Sequence, residues 1–177
     1  YMTGHDELHS LSTNLDMPNI RFWMGFGDHY INVFTVLNSL GLLSEQPVTT
    51  AEGLEVVPLK VVKAVLPDPA SLAPRYTGKT CIGDIVKGKK DGKDKEIFIY
   101  NVADHKEAYE EVGSQGISYT AGVPPVAAAI LIAQGVWDVQ KMVNVEELDC
   151  KPFINLLNEI GLPTRIKDEE GDRPLSY

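Results

Sequence analysis

The sequence predicts an α+β (mixed α/β) fold, with a mixed, largely antiparallel sheet and flanking helices. Two observations carry that prediction. Helix-period and strand-like segments are interspersed along the chain. Two β-rich runs, Lys79 to Lys89 and Lys95 to Val102, are joined by Lys90-Asp91-Gly92-Lys93, a tight-hairpin sequence in which both central residues need positive φ. Of the 177 residues, 44% are apolar, enough for one domain with a sizeable core or two small ones.

In chain order, the run IRFWMGF from Ile20 to Phe26 reads as a buried strand. Asp28 can cap the helix after it. Tyr30, Val33, Phe34, Leu37 and Leu40 recur at helical spacing, and Gly41 ends that helix. Val56 to Leu66 reads as a second helix, with Pro58 at its start and Pro67 beyond its end. In the hairpin, Ile97-Phe98-Ile99-Tyr100 is apolar on both faces and reads as an inner strand. Asp104 and Glu107 fit a capping box for a short helix through Glu111. Val123 to Gln134 reads as an apolar helix that starts or kinks at Pro124 and Pro125. The last helix runs from about Asp149 to Ile160, with Phe153, Leu157 and Ile160 on one face and Gly161 as its stop. After Ile166 the charged tail reads as mobile.

Composition excludes several functions. Sixteen Lys and Arg against 25 Asp and Glu give a charge of −9, which opposes nucleic-acid binding and weakly favours cationic ligands. Cys81 and Cys150 lie in no paired-cysteine motif and read as reduced thiols of a cytoplasmic protein. The longest apolar run, Val123 to Ala133, is too short for a bilayer and carries two prolines. No signal peptide is visible. The first residue, Tyr1, is no initiator, so the chain reads as a piece of a longer protein.

Standard nucleotide and hydrolase motifs are missing, including GxGxxG, the P-loop, HExxH and GxSxG. Thr77-Gly78-Lys79-Thr80 lacks the upstream glycine of a phosphate loop. His5 and His9 are four apart without an obvious third ligand, so no metal site is expected. Asp28-His29 and Asp104-His105 place a carboxylate beside an imidazole at helix starts, where each pair can cap a helix or tune an acid or base. Arg75 follows a polar loop and can clamp a carboxylate. Gln115 and Ser118 belong to a cluster of polar side chains at the approach to the apolar helix, where they serve as caps or anion donors.

Four segments carry a resemblance: YMTGHDELHSL, LKVVKAVLPDPASLAPRYTGKTCIG, YNVADHKEAYEEVGSQGISYTAGVP and NVEELDCKPFINLLNEIGLP. Together they resemble the C-terminal half of the carboxynorspermidine dehydrogenases (also called synthases), a branch of the saccharopine dehydrogenase family. The most specific parts are VLPDPASLAPR and GSQGISYTAGVP. The resemblance implies the substrate-binding and dimerisation domain of a Rossmann-type dehydrogenase over residues 1–116. It implies a helical segment over 117–177 that packs on an N-terminal Rossmann domain. It further implies NADPH-dependent condensation of aspartate β-semialdehyde with a diamine, reduction of the imine, and a homodimer. Other saccharopine-type reductases and a non-catalytic dimerisation module are the alternatives.

Imine reduction needs a proton donor, a carboxylate clamp and an acidic place for the distal ammonium. Residue type and placement nominate His105 and Asp104 as catalytic. Arg75, Asp28, His29, Glu7, Gln115 and Ser118 are nominated for substrate binding. Among these, Arg75 is the clamp, Asp28, Asp104 and Glu7 can face the ammonium, and His29 is a second proton relay. The cofactor is expected to bind mainly outside this chain, leaving the piece alone inactive.

Overall fold

The computed structural model describes residues 1–177 and divides them into two units, Tyr1–Asp68 and Pro69–Tyr177.

In the first unit, β1 (Met2–Thr3) pairs antiparallel with β2 (Phe22–Trp23), and α1 (Glu7–Asn14) lies between them in sequence. Then follow α2 (Asp28–Ser39), the small β3–β4 hairpin (Val48–Thr49 and Glu55–Val56) and α3 (Pro58–Val65). Pro58 is the only buried residue of this unit. The buried strand expected over 20–26 is therefore corrected. Only two of its residues pair, and Trp23 is 63% exposed. A two-residue partner strand leaves no sheet to cover both faces. The aromatic rings stack among themselves instead, with Phe26 4.8 Å from Tyr30 and Tyr30 5.5 Å from Phe34. The cap is corrected as well. Gly27 is the N-cap of α2, and Asp28 is its first helical residue, where its charge favours the helix dipole. Gly41 ends the helix with φ +72°, and Pro58 opens α3 as read from the sequence.

The second unit begins with α4 (Pro69–Leu72) and a 3-10 turn at Ala73–Arg75. Its sheet has four antiparallel strands in the order β5 (Lys79–Lys90), β6 (Lys93–Asp104), β7 (Thr164–Asp168), β8 (Gly171–Pro174). Asp91 and Gly92 turn the first hairpin with φ 54° and 76°. The apolar run of β6 lies between two strands, as its composition predicts.

Helices α5 (His105–Val112), α6 (Gly116–Ala133) and α7 (Cys150–Glu159) complete the unit. The core joins Ala103 and Ala108 to Tyr119, Ala127, Leu157 and Leu162, with Phe153 and Ile160 packed against it. Trp137 seals one end, donating Nε1–H to the Asp149 carbonyl at 3.0 Å and stacking on Phe153.

Helix α6 starts seven residues before the expected Val123. Gln115 is its extended N-cap, and Pro124 and Pro125 lie inside it. Having no N–H, they leave the carbonyls of Thr120 and Ala121 without their helical donors. The added turns make α6 an 18-residue helix, long and apolar enough to cross a bilayer. It packs on α5, α7 and β6.

Residue 116, the suggested domain limit, is the first residue of α6, and β7 returns to pair with β6 across it.

The tail expected to be mobile forms β7 and β8, because its charges pair across the strands. Arg173 donates to both Asp168 oxygens at 2.7 and 2.9 Å, and Arg165 reaches Asp172 at 2.8 Å. The Arg173 hydrogen bonds, then the Glu170 amide, hold the Asp168 carboxyl down to about 2. A carboxyl held below its ordinary value of about 3.9 stabilises the hairpin above that value. That stability is lost as pH falls from about 4 through about 2. Amide protection at residues 171–173 is expected to fall in this acid window, and unchanged protection down to pH 2 would exclude the ion pair as a stabiliser.

Candidate functional site

Two features of the second unit concentrate polar chemistry. One is the corner where β6 passes into α5. Asp104 caps α5, its Oδ1 accepting from the amides of Lys106 at 2.8 Å and Glu107 at 3.3 Å. These bonds, Glu107 first, hold the Asp104 carboxyl below its usual range, helped by nearby Lys79. His105 Nδ1 accepts the Gly116 N–H at 3.1 Å. The acceptor nitrogen carries no proton, so the neutral ring holds its proton on Nε2, 3.4 Å from Thr80 Oγ1. The Tyr76 ring lies beside it at 5.5 Å. Gly116 fits tightly, since a Cβ there meets the Ala103 carbonyl and His105 Nδ1 at 3.2 Å each. His105 thus joins β5, α5 and α6, with its Nε2–H directed at the Thr80 hydroxyl.

The other feature is an open groove of about 430 Å³ beside α5 and α6. Glu111, Ser114, Ser118 and Tyr119 supply its polar groups, while Val123 and Ile130 are among its apolar walls. Tyr119 is buried, and its hydroxyl donates to the Glu111 carboxylate, 3.1 and 3.2 Å from the two oxygens. Burial first, then the Glu111 hydrogen bond and charge, push the phenol above its ordinary range. Gly161 backs the Tyr119 hydroxyl, in space a Cβ would take. A second depression, about 570 Å³ at the hairpin tip, is bordered by charges already paired, Lys87 with Glu96 and Lys95 with Glu169.

Of the residues nominated from sequence, Asp104, His105 and Gln115 gather at the starts of α5 and α6. Arg75 ends the 3-10 turn just before Tyr76 and is exposed. Ser118 alone of them lines the groove. Asp28 and His29 open α2 in the first unit and are exposed. Glu7 opens α1, where its carboxylate contacts the His5 ring, which stacks on Phe22 at 4.1 Å. No three His, Cys, Asp or Glu side chains cluster to hold a metal.

Neither Glu111 nor Tyr119 is among the residues nominated from sequence, where Tyr119 counts only as one of the polar side chains ahead of the apolar helix. With the helix start placed at Val123, Tyr119 falls in a loop. Starting α6 at Gly116 instead puts Tyr119 on the same face as Val123 and Ala127.

Comparison with known proteins adds three relatives and one family. The family model for the saccharopine dehydrogenase C-terminal domain matches residues 1–162. A carboxynorspermidine synthase of Vibrio alginolyticus is 49% identical over 177 residues, which is 100% of this chain and 43% of that protein. One from Vibrio cholerae is 48% identical over 98% of this chain and 42% of its own length. A carboxyaminopropylagmatine dehydrogenase of Synechocystis sp. is 46% identical over 92% of this chain and 41% of its own length. The chain thus spans less than half the length of these relatives.

Proposed function

Because this chain belongs to the saccharopine dehydrogenase family, through its C-terminal domain, we propose that it serves as the substrate-binding part of a polyamine-forming reductase. The observation that carries the reading is 46–49% identity, over nearly all of the chain, to enzymes named for carboxylated aminopropyl amines. In the reaction proposed, a primary amine of a diamine condenses with the aldehyde of aspartate β-semialdehyde, releasing water and forming an imine. A hydride then adds to the imine carbon and a proton to its nitrogen.

NADPH supplies the hydride when bound. These 177 residues pair all their strands antiparallel and carry no glycine-rich turn at the start of a helix in a βαβ unit. They do not fit a dinucleotide, so its site is assigned outside this chain and the piece alone is inactive. The exposed side of α6, edged by Ile117 and Val126, both 55% exposed, suits docking of such a cofactor domain.

The chain's own residues bind and orient. Arg75 faces solvent at the end of its turn and is assigned to the substrate carboxylate. His105 Nε2–H is the proton-bearing group at the corner that Asp104 caps. Asp28, His29 and Glu7 are retained as binding residues of the first unit. A homodimer completes the reading, supported by the twelve-residue β5 edge with Ile82 and Ile85 exposed. Cytoplasmic placement suits the two free cysteines.

The Synechocystis relative favours a second reading, in which the same reaction uses an amine with a guanidinium at its far end. The longer protein is expected to oxidise NADPH only when semialdehyde and an amine are both present. No turnover with diaminopropane, putrescine or agmatine would exclude the reductase reading and favour a non-catalytic dimerisation module.

A further inference from the structure

We propose that the groove beside α5 and α6 binds an aliphatic amine that carries a second cationic group, with the Glu111 carboxylate taking one cationic end. Glu111 is fixed before any ligand arrives. Both its oxygens lie within hydrogen-bonding distance of the buried Tyr119 hydroxyl, and Gly161 leaves that hydroxyl its place. A carboxylate accepting one hydrogen bond keeps free lone pairs for an ammonium or guanidinium. No lysine or arginine lines the groove to neutralise it. The Ser114 and Ser118 hydroxyls add neutral acceptors.

Away from this end the walls are apolar, with Val112, Val123, Val126, Ile130 and Ile160. A charged head beside an alkyl trough matches an alkyl chain with a cationic terminus. It does not match an anion or a sugar, which would meet a bare carboxylate or an apolar wall. The chain's charge of −9 draws dications toward it. Ser118 and Gly122 border the groove from the exposed side of α6, the side assigned above to the cofactor domain. An amine held there would present its free end toward that domain. This last step, the second cationic group and the identity of the physiological amine rest on the reductase reading.

The test uses the 177-residue chain itself, titrated with 1,3-diaminopropane, putrescine and agmatine by calorimetry and amide NMR. Saturable 1:1 binding is expected, with shifts at Glu111, Ser118, Tyr119 and Gly122. Glu111→Gln keeps an acceptor for Tyr119 and is expected to weaken binding about tenfold. Gly122→Leu gives a second variant, because a Cβ at Gly122 meets nothing within 4 Å. It is expected to fill the groove and abolish binding while leaving the melting temperature unchanged or higher. Agmatine against putrescine decides between guanidinium and ammonium at the carboxylate, since the tighter ligand marks the preferred end.

Absence of saturable binding would overturn the proposal. So would unchanged affinity in Glu111→Gln, or butane-1,4-diol binding as tightly as putrescine. In the longer protein, Glu111→Gln is expected to raise KM for the amine about tenfold and leave KM for the semialdehyde alone. If the longer protein shows no reductase turnover while this chain binds diamines, the reductase reading falls and the groove assignment stands. If turnover proceeds with KM for the amine unmoved by Glu111→Gln, the groove assignment falls and the reductase reading stands.

Discussion

Leu162→Ala is expected to lower the stability of the second unit by about 3 kcal/mol, within the range for leucine truncations in cores. Leu162 is 2% exposed and is the largest fully buried side chain in the chain. Its cluster contains three alanines, Ala103, Ala108 and Ala127, and one other leucine, Leu157. The three alanines have no side chain long enough to swing into the space left behind. The backbone there is also held in place. The Leu162 amide donates to the Leu157 carbonyl at 2.9 Å, and Asn101 Nδ2 is 3.1 Å from the Leu162 carbonyl and 3.0 Å from that of Pro163. A pinned segment cannot relax inward. Urea unfolding should show a lower midpoint with an unchanged slope. A loss below about 1 kcal/mol would mean that this cluster is not the core of the unit. Val65→Ala, at a side chain 76% exposed, should stay within about 0.5 kcal/mol.

The parts of this fold legible in the sequence are those fixed by local chemistry. Asp91-Gly92 needs two positive φ angles and has them. Asp104 and Asp149 cap α5 and α7 through their own side chains. Gly41 ends its helix as a left-handed residue. The misread parts depend on partners distant in sequence. An aromatic run at 20–26 signals burial but does not say against what, and its partner strand has two residues. Two prolines at 124 and 125 look like a helix start, yet packing against β6, α5 and α7 carries α6 through them. The tail charges look solvated until the β7–β8 hairpin brings the Arg173 side chain within hydrogen-bonding reach of Asp168. The site divides in the same way. Ser118 was visible as a polar residue ahead of an apolar helix. The Glu111–Tyr119 pair was not, because it forms only when the turn at Gly113, with φ +66°, folds the end of α5 against α6.

Gly161→Ala is expected to cost about 3 kcal/mol and to loosen the groove, for two separable reasons. Gly161 has φ +97°, a conformation that an L side chain adopts only with strain. A Cβ there would also occupy the place of the Tyr119 hydroxyl, which would have to leave Glu111 while the ring stays buried. The backbone cost is independent of Tyr119, and the steric cost is not. In a Tyr119→Phe background the hydroxyl is gone, so adding Gly161→Ala should cost at least about 1 kcal/mol less than in the parent chain. A cycle with no coupling would show that Tyr119 does not press on Gly161. The functional consequence follows the same partition. Gly161→Ala should weaken diamine binding by freeing Glu111 from its hydrogen bond, since the carboxylate must then be ordered at the moment of binding. In the Tyr119→Phe background that bond is already lost, so Gly161→Ala should change diamine affinity little further.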